Sequence, residues 1–346
     1  MLDDFQKSSL DYLLLGTVAL ILILGTTILL SMDSRLFPLQ FVYLVSAAAV
    51  FFILSRFDSI VFESVAHIFY GIIFLALLLT LFLGVVSEGA LRWLSLGPIT
   101  IQPSEFAKPA VALGTAWILV KSIRFNFLLS LFLTFVVSLL VFIQPDLGTA
   151  IVIFFAWLGA VLGRGVPSKI LLRFALLALI VLPLFWFILQ PYQKSRITAF
   201  FSPQDIQGAS YQSLQSIITV GSGGLFGKGL GQGSQTQLRF LPARQTDFVF
   251  ASLAEELGFL GATLVLLSFL ILFWRIIYSF FNSGSIFARS AIGGIFLYLF
   301  AQTFINIGMN LGMLPITGVP LPFISAGGSA LVSTMMALGM IVGLRK

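Results

Sequence analysis

Apolar residues along this chain fall in long blocks separated by short polar breaks. Blocks of about twenty residues match the helix length that crosses the ~30 Å hydrocarbon core of a bilayer. Ten segments fit that rule: 11–31, 39–55, 65–86, 104–120, 126–143, 147–163, 170–190, 249–274, 287–311 and 321–344. The pattern predicts an all-α, polytopic integral membrane protein of about ten transmembrane helices. The shortest break is Gln144-Pro145-Asp146, between the fifth and sixth segments, and it reads as a tight turn at one membrane face. The longest is 191–248, a segment rich in Gly, Gln and Ser with seven glycines between Gly221 and Gly233. Loops longer than about 15 residues usually carry a function or are disordered. This one has Tyr192, Phe200, Phe201, Tyr211, Leu225, Phe226 and Phe240 spaced through it, so it is expected to pack onto the membrane face. No internal repeat is visible, and residues 1–346 are treated as one domain.

Composition supports lipid as the main solvent. Charged residues make up 9% of the chain, against roughly 25% in a soluble domain, too few to cover a water-facing surface. The absence of cysteine excludes disulfides, thiolate metal sites and a cysteine nucleophile. A single histidine, His67, excludes the usual multi-histidine metal sites. The net charge of +6 fits basic cytoplasmic flanks and not nucleic-acid binding. With an even number of helices both termini share a side. Placing them inside puts Lys7, Arg56, Lys121, Arg124, Arg164, Lys169, Arg173, Arg275, Arg289, Arg345 and Lys346 in the cytoplasm. The short outer loops are then nearly free of Lys and Arg, as the positive-inside rule requires. The long loop becomes extracytoplasmic. The first apolar segment follows Asp3-Asp4 without a small-residue cleavage site, so it is expected to be a retained helix.

Ionisable groups at membrane depth cost several kcal/mol and mark either function or a buried pair. Here they collect at the outer helix ends. Arg92-Trp93 precedes Glu105 and Lys108, which share a helix face at a spacing of three. That pair can be a self-neutralising structural ion pair or a substrate contact, and Trp93 can be an interfacial belt residue. Asp146 can cap the next helix or face the same outer cavity as Glu105. The densest group is Leu241-Pro242-Ala243-Arg244-Gln245-Thr246-Asp247-Phe248, followed by Glu255-Glu256. Asp247 can be a helix cap. The two glutamates lie too far inside the helix for that, and as neighbours they face different sides. Gln302, Asn306 and Asn310, at i, i+4 and i+8, form one polar stripe, suited to interhelical hydrogen bonds or to lining a groove. Pro315, Gly318, Pro320 and Pro322 then mark an irregular stretch entering the last helix, which is tolerated at depth only where protein buries it or it lines a cavity. Lys228 follows Gly227, but Ser222 and Gly229 stand where a P-loop needs other residues. There is no Gly-x-Ser-x-Gly elbow and no arginine ladder.

These same residues resemble the signatures of the SEDS family (shape, elongation, division, sporulation). They are Arg92-Trp93 with Gln102-Pro103-Ser104-Glu105-Phe106-Ala107-Lys108, Gln144-Pro145-Asp146-Leu147-Gly148-Thr149, and Gly227-Lys228-Gly229-Leu230-Gly231. Thr246-Asp247-Phe248 with Glu255-Glu256-Leu257-Gly258, and Pro322-Phe323-Ile324-Ser325 with Gly327-Gly328-Ser329, complete the set. They occur in the family's order across nearly the whole chain. Leu10-Asp11-Tyr12 and Gly318-Val319-Pro320-Leu321-Pro322 favour the elongation-type branch (RodA) over the division type (FtsW). Two positions depart from the pattern: Ala326, where an aromatic is usual, and Gln245, before the Thr-Asp-Phe motif.

The resemblance implies ten helices in the bacterial cytoplasmic membrane and an active site on the extracytoplasmic face. It implies polymerisation of lipid II into β-1,4 glycan strands with release of undecaprenyl pyrophosphate, in cell-wall growth. The implied partners are a class B penicillin-binding protein transpeptidase and other elongation-complex membrane proteins. Joining an α-linked donor into a β link inverts the anomeric centre, which calls for in-line attack by a sugar hydroxyl and a carboxylate to take its proton. Asp247 matches the family's essential aspartate and is the candidate base. Pyrophosphate needs cationic stabilisation. Lys108 and Arg196 are candidates for that, Arg92, Arg239 and Arg244 weaker ones, and a divalent cation (Mg or Mn) held by carboxylates is the alternative. Glu105 and Asp146 would orient Lys108 or bind that cation. Lys228 and Ser325 join Arg92 and Trp93 as candidate substrate contacts. Glu255, Glu256, Gln302, Asn306 and Asn310 are assigned to support. Two other functions stay open on the sequence: a lipid II flippase, and a scaffold that only recruits the transpeptidase.

Overall fold

The computed structural model describes residues 11–87, 90–97, 99–121, 124–202 and 208–346. Asp3, Asp4, Lys7 and Leu10 lie outside them. Ten long helices run in the expected order: α1 (Tyr12–Met32), α2 (Phe37–Leu54), α3 (Ser59–Leu83), α4 (Pro103–Lys121), α5 (Arg124–Ile143), α6 (Leu147–Gly163), α7 (Ser168–Ile188), α11 (Val249–Phe281), α12 (Ile286–Asn310) and α13 (Gly328–Leu344). Among the described residues, the spans Tyr12–Met32, Ser59–Leu83, Asn126–Ile143, Val249–Phe281 and Ile286–Asn310 are each long and apolar enough to cross a membrane, and Pro38–Leu54, Leu147–Gly163 and Gly328–Leu344 are shorter apolar helices.

α4, α6, α12 and α13 form the centre, with α12 packed most extensively on α6 and α13 on α2. With lipid outside, helices gain little from burying apolar groups, and close backbone approach at small residues takes over. A Cβ on Gly159 would meet the Gly293 carbonyl at 2.2 Å, so α6 and α12 can touch only because both positions are glycine. α7 is largely exposed along its length.

The start of α1 and the end of α13 lie at one face. Asp11 caps α1 by accepting the Leu14 amide at 3.1 Å, and it also pairs with Arg275 from the end of α11 and Arg345 from the end of α13. Lys346 Nζ donates to the Ser55 carbonyl in the turn after α2 at 2.8 Å.

Four details differ from the sequence expectation. α3 starts at Ser59 and not at 65, because the Asp58 carboxylate accepts the Val61 amide and opens the helix there. The last helix starts at Gly328 and not at 321. Phe323 (φ 67°) and Gly327 (φ 158°) both have left-handed backbone, which no helix accommodates. Between α3 and α4 the all-α chain carries a small antiparallel sheet, β1 (Val85–Ser87), β2 (Ala90–Leu96) and β3 (Ile99–Ile101), in the order β1-β2-β3. The long loop contains three helices, α8 (Pro191–Phe201), α9 (Ala209–Ser222) and α10 (Ser234–Gln237).

Candidate active site

At the face opposite the termini, the starts of α4, α6 and α11, strand β2, α8 and the irregular 315–327 segment enclose a cavity of about 280 Å³. Arg92, Trp93, Gln102, Glu105, Asp146, Tyr192, Gln193, Arg196, Thr246 and Asp247 contribute to its polar lining. Five ionisable residues flagged by the sequence therefore meet in one place, together with Trp93.

Asp146 does both things the sequence allowed. One carboxylate oxygen caps α6 by accepting the Thr149 amide at 3.0 Å. The other accepts Gln102 Nε2 at 3.4 Å and lies 3.7 Å from the Arg92 guanidinium. Arg92 also donates to the carbonyls of Gln144 and Pro145, and Tyr192 Oη to that of Pro145 at 3.1 Å. The Gln144-Pro145-Asp146 turn is thereby tied to β2 and to α8.

Glu105 lines the cavity from the first turn of α4. Lys108, 2.7 Å from the Glu105 carboxylate, lies behind the lining at 2% exposure and also donates to Gln302 Oε1 at 2.9 Å. The structure therefore gives Lys108 an ion pair behind the wall and no direct face on the cavity.

Asp247 is half-buried and lines the cavity just ahead of α11. Its backbone is clamped from behind. Asn306 and Asn310 each donate to the Asp247 carbonyl, at 2.9 and 3.0 Å, and Asn310 Oδ1 accepts the Ala251 amide at 3.0 Å. Asn306 also donates to the Val319 carbonyl and Gln302 to that of Pro320. The polar stripe on α12 thus holds two non-helical segments in place and does not itself line the cavity. From the other side Ser325 Oγ donates to the Thr246 carbonyl at 2.6 Å and accepts the Leu321 amide at 2.7 Å, while the Ala326 amide donates to the Gln245 carbonyl at 2.8 Å. Ser325 is a strut, and Ala326 lines the cavity where a larger residue would narrow it.

Gly318 shows how the reactive groups converge. A Cβ there would lie 3.6 Å from Asp247 Oδ2 and 3.7 Å from Arg196 Nη1, so a carboxylate and a guanidinium flank one bare stretch of backbone with φ +75°.

Two further sequence candidates, Lys228 and Arg244, lie elsewhere, with Glu255 and Glu256. Glu255 accepts Lys228 Nζ at 2.8 Å, the Gln235 and Thr236 amides both at 2.9 Å, and Thr236 Oγ1 at 2.7 Å. Glu256 points the other way, to Ser31 at the end of α1 and to Gln237. Arg244 donates to the Thr236 carbonyl. Lys228, Arg244 and the glutamates therefore fasten the glycine-rich loop to the top of α11, apart from the cavity. That helix breaks at Gly258 (φ 69°), whose left-handed backbone lets the Phe259 and Leu260 amides turn to the loop carbonyls of Gly224 and Leu225.

Sequence reasoning quoted Gln102 within its motif and Tyr192 among the loop aromatics without giving either a role. Gln193 and Thr317, also in the lining, had no charge to draw notice.

This fold and site define a polytopic membrane protein with an ionisable cavity at one face. The chain belongs to the FtsW/RodA/SpoVE family of cell cycle proteins, whose family model matches residues 8–346. It is 40% identical over 290 residues to peptidoglycan glycosyltransferase MrdB of Escherichia coli, covering 82% of this chain and 78% of that one. It is 36% identical to stage V sporulation protein E of Bacillus subtilis, covering 87% and 84%. Among solved structures, rod shape determining protein RodA of Thermus thermophilus superposes with a TM-score of 0.74 at 30% identity, covering 97% of this chain and 96% of that one. A chain from a peptidoglycan synthase complex that coordinates polymerization and crosslinking reaches 0.84 at 31% identity, covering 97% of each. The MrdB and RodA likenesses agree with the elongation-type branch.

Proposed function

We propose that this protein is a peptidoglycan glycosyltransferase that polymerises lipid II at the cavity bounded by Asp247, Arg196, Arg92, Asp146 and Glu105. The acceptor sugar hydroxyl attacks the donor's anomeric carbon in line. The new C–O bond forms as the bond to the pyrophosphate oxygen breaks, and the Asp247 carboxylate takes the hydroxyl proton. Undecaprenyl pyrophosphate leaves against the guanidiniums of Arg196 and Arg92. The observation that carries this reading is the approach of Asp247 Oδ2 and Arg196 Nη1 to the same bare glycine, 3.6 and 3.7 Å from where a Cβ would stand. A base and an anion-binding group then serve one reacting centre.

A divalent cation (Mg or Mn) fits the same site in a limited sense. Among the described residues no three acidic or histidine side chains converge tightly enough to hold a metal alone. Magnesium commonly takes one or two carboxylates and completes its shell with substrate phosphates and water. Asp146 and Glu105 are the carboxylates that would hold it, and it would supply charge neutralisation at the pyrophosphate.

The sidedness follows from charge. Arg56, Lys121, Arg164, Lys169, Arg173, Arg275, Arg289, Arg345 and Lys346 gather at the face that carries the termini. The positive-inside rule supports that face as the cytoplasmic one, with the cavity turned outward, where cell-wall precursors are joined. The likeness to a polymerising and crosslinking complex supports a class B penicillin-binding protein as partner, with other elongation-complex membrane proteins around the pair.

Purified protein, alone and with its cognate transpeptidase, should make long glycan strands from labelled lipid II, and Asp247→Asn should make none. Absence of polymer with the folded complex would favour a flippase or a scaffold, and polymer from Asp247→Asn would remove that residue as the base.

A further inference from the structure

At the face that carries the termini, a crevice of about 260 Å³ lies between the ends of α6, α11 and α12. Its floor is Gly159, Gly163 and Gly293, and Phe280, Phe281 and Leu162 stand around it. The floor exists because α6 and α12 meet backbone to backbone at the glycines described above. No lining residue has a polar side chain. Leu162 is 50% and Phe281 75% exposed, so the crevice opens toward lipid. Along α12 its lining runs from Gly293 to Leu297, about 6 Å at 1.5 Å per residue.

Its mouth is basic. Arg289 lies in the first turn of α12, where the positive end of the helix gives a cation no compensation. The carbonyl of Arg289 is 2.6 Å from where a Cβ on Gly163 would stand, which sets this residue beside the crevice floor. Arg164 follows Gly163 as the C-cap of α6 and uses Nε to donate to the Leu119 carbonyl at 3.0 Å. No Asp or Glu occurs between residues 147 and 204 or from 257 to 346. Among the described residues no carboxylate pairs with Arg164, Lys169 or Arg289. Elsewhere on the same face Arg275 and Arg345 share Asp11.

A dry slot with unneutralised cations at its mouth has the two halves of one chemistry. A soluble anion would satisfy the cations and leave the slot empty. We propose that the crevice binds an anionic phospholipid, with one acyl chain in the slot and the headgroup phosphate on Arg289 and Arg164. Basic pockets between helices at the cytoplasmic face hold acidic lipid headgroups on the same physical grounds.

The test uses the full chain purified in neutral detergent and titrated with dioleoylphosphatidylglycerol or dioleoylphosphatidylcholine, which share their acyl chains. Bound lipid is read by native mass spectrometry and stability by the melting midpoint. Phosphatidylglycerol should be retained and raise the midpoint; phosphatidylcholine, alone or with inorganic phosphate, should do neither. Arg289→Gln should weaken phosphatidylglycerol binding about fivefold, the worth of one basic contact to an acidic headgroup. Leu162→Trp, which fills the slot from its exposed rim and keeps both arginines, should abolish retention. Both positions are exposed, so the lipid-free midpoints should match wild type. Equal effects of the two lipids, a shift from phosphate alone, or unchanged phosphatidylglycerol binding in both variants would overturn the proposal.

Discussion

Asp247 and Glu255 stand eight residues apart at the head of one helix, and their surroundings could hardly differ more. Glu255 is fully buried and receives a lysine ammonium, two backbone amides and a threonine hydroxyl. Those donors use its lone pairs and fasten the glycine-rich loop to α11. Asp247 is half-buried at a cavity it shares with Glu105, Asp146, Arg92 and Arg196. Its backbone is fixed by two asparagines, while its carboxylate reaches the same open patch as Arg196. Both acids sit where lipid would exclude them, so depth alone does not separate structure from chemistry. The space in front of each carboxylate does.

Substitutions can break this comparison from either side. The largest effect on turnover short of losing Asp247 itself should come from Arg196→Ala. Removing one preorganised charge donor typically costs 10²–10³-fold in rate, and initial rates of lipid II polymerisation should fall by about that much at an unchanged melting midpoint. Gly318→Leu should follow, at roughly 10²-fold, by standing between Asp247 and Arg196 and shifting the reacting groups; the same assay reads it. Glu255→Ala should act in the opposite way. It leaves the part-buried amide of Gln235 and the buried amide of Thr236 without acceptors, at about 1–3 kcal/mol for a fully buried unmet group. The midpoint should drop sharply and the 222–237 loop should become open to protease. Asn310→Ala sharpens the contrast between fixing a backbone and doing chemistry. The rate should fall about fivefold, because one of two donors to the Asp247 carbonyl remains, with a bond of this kind worth about 1 kcal/mol.

The smallest effect lies at the far face. Burial alone would raise the Asp11 pKa, but the hydrogen bond from Arg275, the Leu14 amide and the charges of Arg275 and Arg345 hold it below the ordinary aspartate value. Its folded-state pKa is thus depressed, so its contribution to stability is full above the unfolded value near 3.8 and is lost as pH falls through the acid range below it. Melting midpoints of wild type and Asp11→Asn should differ at neutral pH and converge toward pH 3. A difference that persists there would assign the effect to packing.

Much of this was legible in the sequence, and the misses have physical causes. The ten spans were readable because lipid demands about 20 apolar residues whatever the tertiary context. Their ends were less so. Asp58 signalled the true start of α3 by capping it, yet the apolar block alone suggested a later one. The three strands were hidden because Ala90–Leu96 is too short and too apolar to differ from a helix fragment. α9 was hidden by glycine and serine, which depress helix propensity but are overridden by packing against α11 and α12. Of the site, Glu105, Asp146 and Asp247 meet as their placement at outer helix ends implied, and Arg92, Trp93 and the loop residue Arg196 join them in the lining. Lys108 sits behind the wall, and Lys228, Arg244 and Ser325 serve as fasteners. Charge and motif order could not separate those roles, because each residue stands in or beside one of the polar motifs in sequence, and only the fold decides which carbonyl or carboxylate it meets.

The division of labour between the two acids is tested most directly by measuring initial polymerisation rate and melting midpoint together for Asp247→Asn and Glu255→Ala, each in complex with the transpeptidase. The account predicts that Asp247→Asn melts like wild type and makes no polymer, whereas Glu255→Ala melts lower and polymerises in proportion to the protein that remains folded. Polymer from Asp247→Asn, together with an inactive Glu255→Ala that melts like wild type, would contradict it.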